Sequence, residues 1–518
     1  MMNGIQWNIN KKNSWEKSYC PIIIYRRKYI FFEGRKVMRK YKVLDLFAGG
    51  GGFSTGFLQA EYQNNKFHIR KSIDIDKDAC KTLENHLEEQ KVLNGDITDA
   101  KIKHQLISEC KDVDVIIGGP PCQTFSLVGP ARSGKKEIRE ALKSDPRNIL
   151  YKHFFEIVEA LNPRYVVFEN VEGITSKKVA KSEVSENQQV AIEAICEELE
   201  NIGYTTTIQG KESKYMVLNS ADFGVPQQRK RVVIIANKHG VENIYPKPTH
   251  GGSDNPYVTV GEVISGLPVI LPQINSTNIK QLKNLDVVLD NLKICVGAFV
   301  DNINYISTKY SHHPEVHSQE FLNLIDFINV YFHTKIINRK KQKLRALIGF
   351  IEGYNHYLGD LYKSENVASK VTLHESRKHN IRDLIIFSLM KPGSNSSQFI
   401  NSDSSLYNEI LDKLYPYDKT KHKDTYVKHS FDRVSNTILA HMQKDGLKFI
   451  HPDQPRTYTP YEAAMIQAFP ANYEFFGGKN AQFRQIGNAV PPLLAKKIAE
   501  AVLKSLTKMD YHMENNSN

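Results

Sequence analysis

A chain of 518 residues with 41% hydrophobic and 24% charged content can bury a sizeable core and divide into two or three domains. No apolar run approaches the roughly 18 residues of a membrane span, and six cysteines with no CxxC pair exclude a disulfide framework or a zinc ribbon, which fits a reducing cytoplasm. The formal net charge of +12 permits a nucleic-acid partner without requiring one, because half of it lies in residues 1–37, where 8 Lys and Arg stand against 2 Asp and Glu.

Residues 1–37 hold both tryptophans, Trp7 and Trp15, and show no helix or strand period. Met38 precedes the first strong strand and is expected to be the natural start, the alternative being a basic arm that touches nucleic acid. From Tyr41 to Tyr245 apolar strands at 42–46, 69–73, 113–117, 165–168 and 232–236 alternate with helical stretches such as 77–89 and 188–202. That alternation predicts an α/β fold with a doubly wound, mostly parallel sheet. Pro246-Lys247-Pro248-Thr249-His250-Gly251-Gly252 ends it. The following stretch, to about Tyr426, carries an amphipathic helix over 321–332 and the basic run Arg339-Lys340-Lys341-Gln342-Lys343, and reads as a second, smaller domain. Order returns from Phe431 and ends in a helix over 493–503, before a polar tail at 508–518. There is no internal repeat.

The chemistry concentrates where the predicted strands end. Leu44-Asp45-Leu46-Phe47-Ala48-Gly49-Gly50-Gly51-Gly52-Phe53 is a strand entering a glycine turn and a helix, so a ligand can approach the backbone there; a dinucleotide or phosphate site would look similar. Asp74 closes the second strand at the spacing of a ribose-binding carboxylate, with Asp76 its near alternative, and Asp96 could accept from an adenine amine. Asp76 and Asp99 also suit helix caps. Gly118-Gly119-Pro120-Pro121-Cys122-Gln123 forms a stiff loop after an apolar strand, placing the Cys122 thiol for attack rather than packing. Cys80, Cys110 and Cys196 sit in helical text and read as buried hydrophobes. Glu169 ends the strand Tyr165-Val166-Val167-Phe168 at the same sheet edge, where burial would raise its pKa and let it carry a proton. Gln227, Arg229 and Arg231 alternate at period two, which puts all three on one strand face. His374-Glu375 with His379 has HExxxH spacing rather than HExxH, and His312, His313 and His317 lack companion ligands, so no metal is expected.

With these residues in order, the chain resembles the DNA cytosine-5 methyltransferases of bacterial restriction-modification systems. The matching texts are Asp45-Leu46-Phe47-Ala48-Gly49 with Gly51-Gly52-Phe53, Pro120-Pro121-Cys122-Gln123, Glu169-Asn170-Val171, Gln227-x-Arg229-x-Arg231 and Gln485-Ile486-Gly487-Asn488-Ala489-Val490-Pro491-Pro492. The resemblance covers about Tyr41–Tyr245 and Phe431–Leu503. It implies a Rossmann-like fold binding S-adenosylmethionine through Phe47, Ala48, Gly49, Gly51, Asp74, Asp96, Ile97, Pro121, Asn488 and Ala489. It implies catalysis by Cys122, Glu169, Arg229 and Arg231, contacts to DNA or the flipped base from Gln123, Ser126 and Gln227, and a closing loop at Gly129-Pro130-Ala131-Arg132-Ser133-Gly134-Lys135-Lys136. The implied domains are an extension at 1–37, a catalytic domain at 38–245 plus 484–507, and a target-recognition domain at 246–483. A segment from His374 to Gly393, with Arg377, Asn380, Arg382 and Asp383, is similar to text in some restriction-modification members. The implied partners are double-stranded DNA and a cognate restriction endonuclease, for a monomer in the bacterial cytoplasm with no membrane contact. Two departures stand out: Asp74 where many relatives have Glu, and Ile75 in place of an aromatic that stacks on adenine. The rival readings are a tRNA cytosine-5 methyltransferase and a catalytically silent DNA-binding regulator.

Overall fold

A strand inside a covered sheet needs apolar side chains on both faces, and β1 (Lys40–Leu46) has them: Tyr41 and Val43 pack on one side, Leu44 and Leu46 on the other. The computed structural model describes residues 38–88, 91–121, 150–180, 188–331, 333, 339–364, 372–397, 405–418, 424–444 and 446–516. Residues 1–37, Cys122, Gln123, Ser126 and the basic stretch 129–136 lie outside the described residues. Around β1 gather β2 (Glu61–Tyr62), β3 (Asn65–Asp74), β4 (Val92–Asn94), β5 (Val115–Gly118), β6 (Tyr165–Val171), and, beyond the separate pair β7 (Lys178–Ala180) and β8 (Gln188–Val190), β9 (Met216–Asn219) and β10 (Lys230–Asn237). The order across the sheet is β2-β3-β1-β5-β6-β10-β9, with β4 paired to β3 off this path. β1 pairs in parallel with both β3 and β5, and β5 with β6. The chain therefore winds away from β1 in both directions, which opens a crevice at the carboxyl ends of β1, β3 and β5.

Helices cover both faces. α1 (Gly52–Gln59) and the C-terminal helix Pro492–Asn516 lie on one side, where Phe53, Phe57, Leu494 and Ile498 meet Val43, Val115 and Val167. α3 (Ala100–Glu109), α4 (Leu150–Leu161) and α5 (Ala191–Asn201) lie on the other, where Leu106, Phe154 and Ile192 meet Leu44, Ile116 and Val166. α2 (Lys77–His86) follows β3 and is capped by Asp76, whose carboxylate accepts from Asp78 N and Ala79 N. The doubly wound sheet is as expected, with three local differences. The strand expected at 232–236 runs antiparallel to β6. Gln188–Val190, expected to open a helix, pairs with Lys178–Ala180 instead, and the helix begins at Ala191. The last helix continues through polar residues to Asn516, because Asp510 is buried there and accepts from Tyr41 Oη at 2.7 Å and Arg164 Nη2 at 2.6 Å.

Beyond residue 260 no strand pattern recurs among the described residues. Helices Leu292–Lys309, Gln319–Val330, Lys340–Lys363 and Ile381–Leu389 enclose one apolar cluster around Phe299, Leu324, Phe350 and Leu384. The expected amphipathic helix starts at Gln319, where the Ser318 side chain accepts from Phe321 N. A smaller cluster joins Val260, Ile438 and Phe449 to Phe469, Phe483 and Ile486, so the chain's later segments share a core with residues on either side of the helical region. No helix among the described residues is long and apolar enough to cross a membrane.

Two predictions follow from the α1 side of the sheet. A Cβ on Gly56 would stand 2.4 Å from Ala495 Cβ and 2.6 Å from Lys496 N and Pro492 O. Gly56→Ala therefore overpacks this contact and should lower stability by about 1–3 kcal/mol, read as a fall in unfolding midpoint. Asp45, at the end of β1, is buried and accepts from the Ser54 hydroxyl. Burial holds its carboxyl at about 7, up from 3.8, with the Ser54 hydrogen bond opposing and Asp74 reinforcing. The folded chain thus keeps a proton that the unfolded chain has lost, and stability declines as pH rises from about 4 to about 7. Asp45→Asn should remove that decline, on the order of a few kcal/mol. Parallel melting-temperature curves for the variant and the native chain across this range would refute the assignment.

Candidate active site

The glycine turn after β1 takes left-handed backbone conformations that favour glycine. Phe47 sits at φ 60, Gly49 at φ 53 and Gly51 at φ 81. A left-handed non-glycine residue such as Phe47 is backbone strain of the kind that collects at ligand sites. A Cβ on Gly49 would meet nothing within 4 Å, so the turn leaves an open cradle there, whereas one on Gly52 would strike Val490 O at 2.2 Å. Ala48 is buried, and its N–H donates to Ile73 O at 3.0 Å, which ties the turn to β3.

Asp74, at the end of β3, faces that cradle. Its Oδ2 accepts from Gly49 N and its Oδ1 from Asp76 N, both at 2.8 Å. Burial raises its pKa, against these backbone donors. Beside it Ile75 is 66% exposed, an apolar side chain left bare at the crevice. Asp76 caps α2 and pairs with Arg484 at 2.6 Å. Asp96 is exposed and turns Oδ1 to Thr98 N at 2.9 Å, and its neighbour Ile97 is buried. Asp99 caps α3 through Lys101 N.

The loop after β5 meets β6 at close range. Gly119 passes so near Glu169 that a Cβ on it would stand 2.6 Å from Oε2. Asn170 is buried; its Nδ2 donates to Pro120 O at 3.1 Å and its Oδ1 accepts from Val171 N at 2.9 Å. This amide therefore clasps the Pro120–Pro121 turn to the end of β6. Pro121 is exposed at its tip. Glu169 Oε1 lies 2.8 Å from Arg231 Nε. The register explains the meeting: Val233 stands opposite Glu169 and Arg231 opposite Val171, so both charged residues share one face. Burial raises the Glu169 pKa, and Arg231 and Arg229 pull against it. The result is a carboxyl that can hold a proton nearer neutrality than an exposed one.

Two of the expected site residues are placed otherwise. Gln227, expected to face DNA, is fully enclosed: its Nε2 donates to Ile466 O at 3.1 Å and to Gln467 Oε1, and its Oε1 accepts from Ile438 N at 3.0 Å. Arg229, expected in catalysis, is fully buried and turns its two terminal nitrogens to backbone, with Nη1 to Ile438 O at 2.7 Å and Nη2 to Gly487 O at 3.0 Å and Ala489 O at 2.8 Å. The physical reason is common to both. A later part of the chain covers this end of β10, so these side chains lie between segments. Arg229 grips the carbonyls on either side of Asn488, whose own side chain is exposed, while Ala489 is buried. The structure thus brings together Phe47, Gly49, Asp74, Glu169, Arg231 and the Asn488 segment, and gives Gly119 and Asn170, which the sequence motifs contained without a role, a part beside Glu169 and Pro120. His374 is occupied, with Nδ1 3.0 Å from Thr459 Oγ1 and Nε2 3.0 Å from Pro268 O. Among the described residues no group of His, Cys, Asp or Glu is arranged to hold a metal ion.

Comparison with known proteins agrees with this geometry. The family model for the C-5 cytosine-specific DNA methylase matches residues 41–504. The type II methyltransferase M1.HphI of Haemophilus parahaemolyticus is 29% identical over 493 residues, covering 94% of each chain. The type II methyltransferase M.DdeI of Desulfomicrobium norvegicum is 29% identical over 473 residues, covering 89% of this chain and 88% of its own. A solved structure from Escherichia coli, described as a DNA modification methyltransferase encoded within a prophage, shares the fold with a TM-score of 0.51 at 20% identity, covering 90% of this chain and 99% of its own. A buried strand carboxyl paired with arginine, a strained glycine turn and a returning C-terminal segment, matched over nearly the whole chain by one family model, establish that the chain belongs to the C-5 cytosine-specific DNA methylase family and is a DNA cytosine-5 methyltransferase.

Proposed function

We propose that the chain methylates carbon 5 of one cytosine within a specific DNA sequence, with S-adenosylmethionine as donor and Cys122 as nucleophile. The buried Glu169–Arg231 pair beside the clasped Gly119-Pro120 turn carries this reading. The residues present fit the donor: an open cradle at Gly49, a carboxylate at Asp74 for ribose hydroxyls, a bare Ile75 for the adenine face and Asp96 within reach of its amine. Phe47, Ala48, Gly51, Ile97, Pro121, Asn488 and Ala489 complete the enclosure. With ribose held at Asp74 and adenine at Asp96, the glycine turn would hold the donor's amino-acid end. When bound, the donor supplies an electrophilic methyl group.

The remaining tasks fall to the protein. The target base leaves the duplex, at a cost of a few kcal/mol. The Cys122 thiolate adds to ring carbon 6. Glu169 gives a proton to ring nitrogen 3, which moves electron density to carbon 5. Arg231 fixes the Glu169 carboxyl and opposes the upward push of burial, so the group can both give and regain a proton. After methylation the carbon-5 proton passes to solvent, the carbon–sulfur bond breaks to release the Cys122 thiolate, and Glu169 takes back the nitrogen-3 proton, leaving 5-methylcytosine. Arg229 acts on the site through Asn488. Gln123 and Ser126 would face the base, and the stretch 129–136 would close over it. The region 246–483 would read the target sequence, on a monomer in the bacterial cytoplasm. Both type II relatives point to a restriction-modification role, with a cognate endonuclease acting on the same site.

Cys122→Ala should lower turnover by at least about a thousandfold while leaving fold and donor binding intact. An active variant would sink the covalent mechanism. The whole reading is tested by base-resolution mapping of 5-methylcytosine in DNA from a methylation-free host that expresses the chain. Methylation at one short motif is expected; unmethylated DNA alongside folded, donor-binding protein would contradict it.

A further inference from the structure

Behind the glycine turn stands a tyrosine that the chemistry does not use. Tyr473 is buried, and its hydroxyl donates to Gly50 O at 2.8 Å across 423 positions of sequence. A Cβ on Gly51 would stand 2.5 Å from that hydroxyl, so the tyrosine oxygen fills the space a side chain at Gly51 would occupy. The ring is wedged among Phe469 and Phe475 on one side. On another it stacks on His86, with centroids 3.6 Å and planes 15° apart. His86 ends α2, the helix that Asp76 opens beside Asp74. One side chain therefore touches the loop after β1 directly and the helix after β3 through His86.

The neighbouring residues reinforce the second wall. Phe476 N donates to Thr82 Oγ1 at 2.9 Å, Thr82 Oγ1 donates to Gln485 Oε1 at 2.7 Å, and Arg484 Nη2 donates to Asp76 Oδ2 at 2.6 Å. On the first wall Tyr473 bonds the turn itself at the Gly50 carbonyl, next to the Gly49 N–H that Asp74 holds. Without its hydroxyl, the Gly50 carbonyl would lose its partner in a buried place, and the strained left-handed turn would keep its ties at Ala48 and Gly49 but lose the one at Gly50.

We propose that Tyr473 is a positioning residue for the methyl donor: its hydroxyl fixes the turn at 49–51 in the shape that receives the donor's amino-acid end, without touching the donor. This rests on the donor reading given above and extends it to a residue outside the crevice. Because Tyr473 lies in the cluster shared with Val260, Ile438 and Phe449, the donor site is shaped by a segment continuous with the core beyond residue 260.

The test uses the full chain and two ligands, S-adenosylmethionine and 5′-methylthioadenosine, which lacks the amino-acid end. Tyr473→Phe keeps the ring and its stack on His86. It should raise the dissociation constant for S-adenosylmethionine about fivefold, the loss of one buried hydrogen bond. Binding of 5′-methylthioadenosine and kcat at saturating donor should each move by less than about twofold. Arg484→Gln, acting on the Asp76 side, should weaken both ligands alike. Unchanged donor binding in Tyr473→Phe, equal weakening of both ligands in that variant, or the tail-selective loss appearing in Arg484→Gln would each overturn the assignment. A native chain that binds no S-adenosylmethionine would overturn the donor reading itself, and this inference with it.

Discussion

One buried guanidinium determines how the parts of this enzyme meet. Arg229 stands just before β10 and binds three carbonyls that belong to distant stretches of the chain, Ile438, Gly487 and Ala489. A charge without solvent is tolerated only where fixed dipoles replace water, and three carbonyls aimed at one group supply them. The two segments cannot shift without exposing that charge to an apolar interior. The sheet, the residues leaving the helical region and the returning C-terminal segment are thereby held in one register. Gly52 and Gly56 make the same point sterically, since each leaves room for the backbone of the returning segment to lie against α1.

The chemistry at Glu169 depends on that fixed frame. Burial alone would leave the carboxyl neutral and inert as a base; an exposed ion pair would leave it ionised and weak as an acid. The pair with Arg231 sits between these limits because both groups are nearly enclosed yet in direct contact. Gly119 keeps the space in front of Oε2 clear, and the Asn170 amide holds the adjacent proline turn at a set distance. The acid and the loop that leads to Cys122 are therefore parts of one small rigid assembly.

Much of this was legible in the letters. Residues at strand ends are readable because strands announce themselves by apolar runs, and a sheet brings their carboxyl ends to one edge; Asp74 is an example, whereas Glu169, expected to end its strand, lies two residues inside β6. Gln227 and Arg229 were misread for the complementary reason. Period-two spacing tells which face a side chain takes, but not whether a segment hundreds of residues later will cover that face. Tyr473 carried no signal, and Asn170 stood in a matching motif without a legible role, because each acts through a backbone carbonyl and a carbonyl has no sequence signature. Gln188–Val190 read as helix because its short pairing with β7 is a tertiary choice that local propensity does not record.

The buried Asp510 cluster has a consequence for how the molecule can be rebuilt. Arg39, Tyr41 and Arg164 all reach Asp510, and all three lie at or before the amino ends of strands β1 and β6. The last helical turns are therefore stapled to the start of the first strand, at the edge of the sheet opposite the crevice. A peptide link from the end of that helix to Arg39 would span little distance, and new ends could be opened in a surface connection without disturbing the carboxyl edge where the reaction takes place.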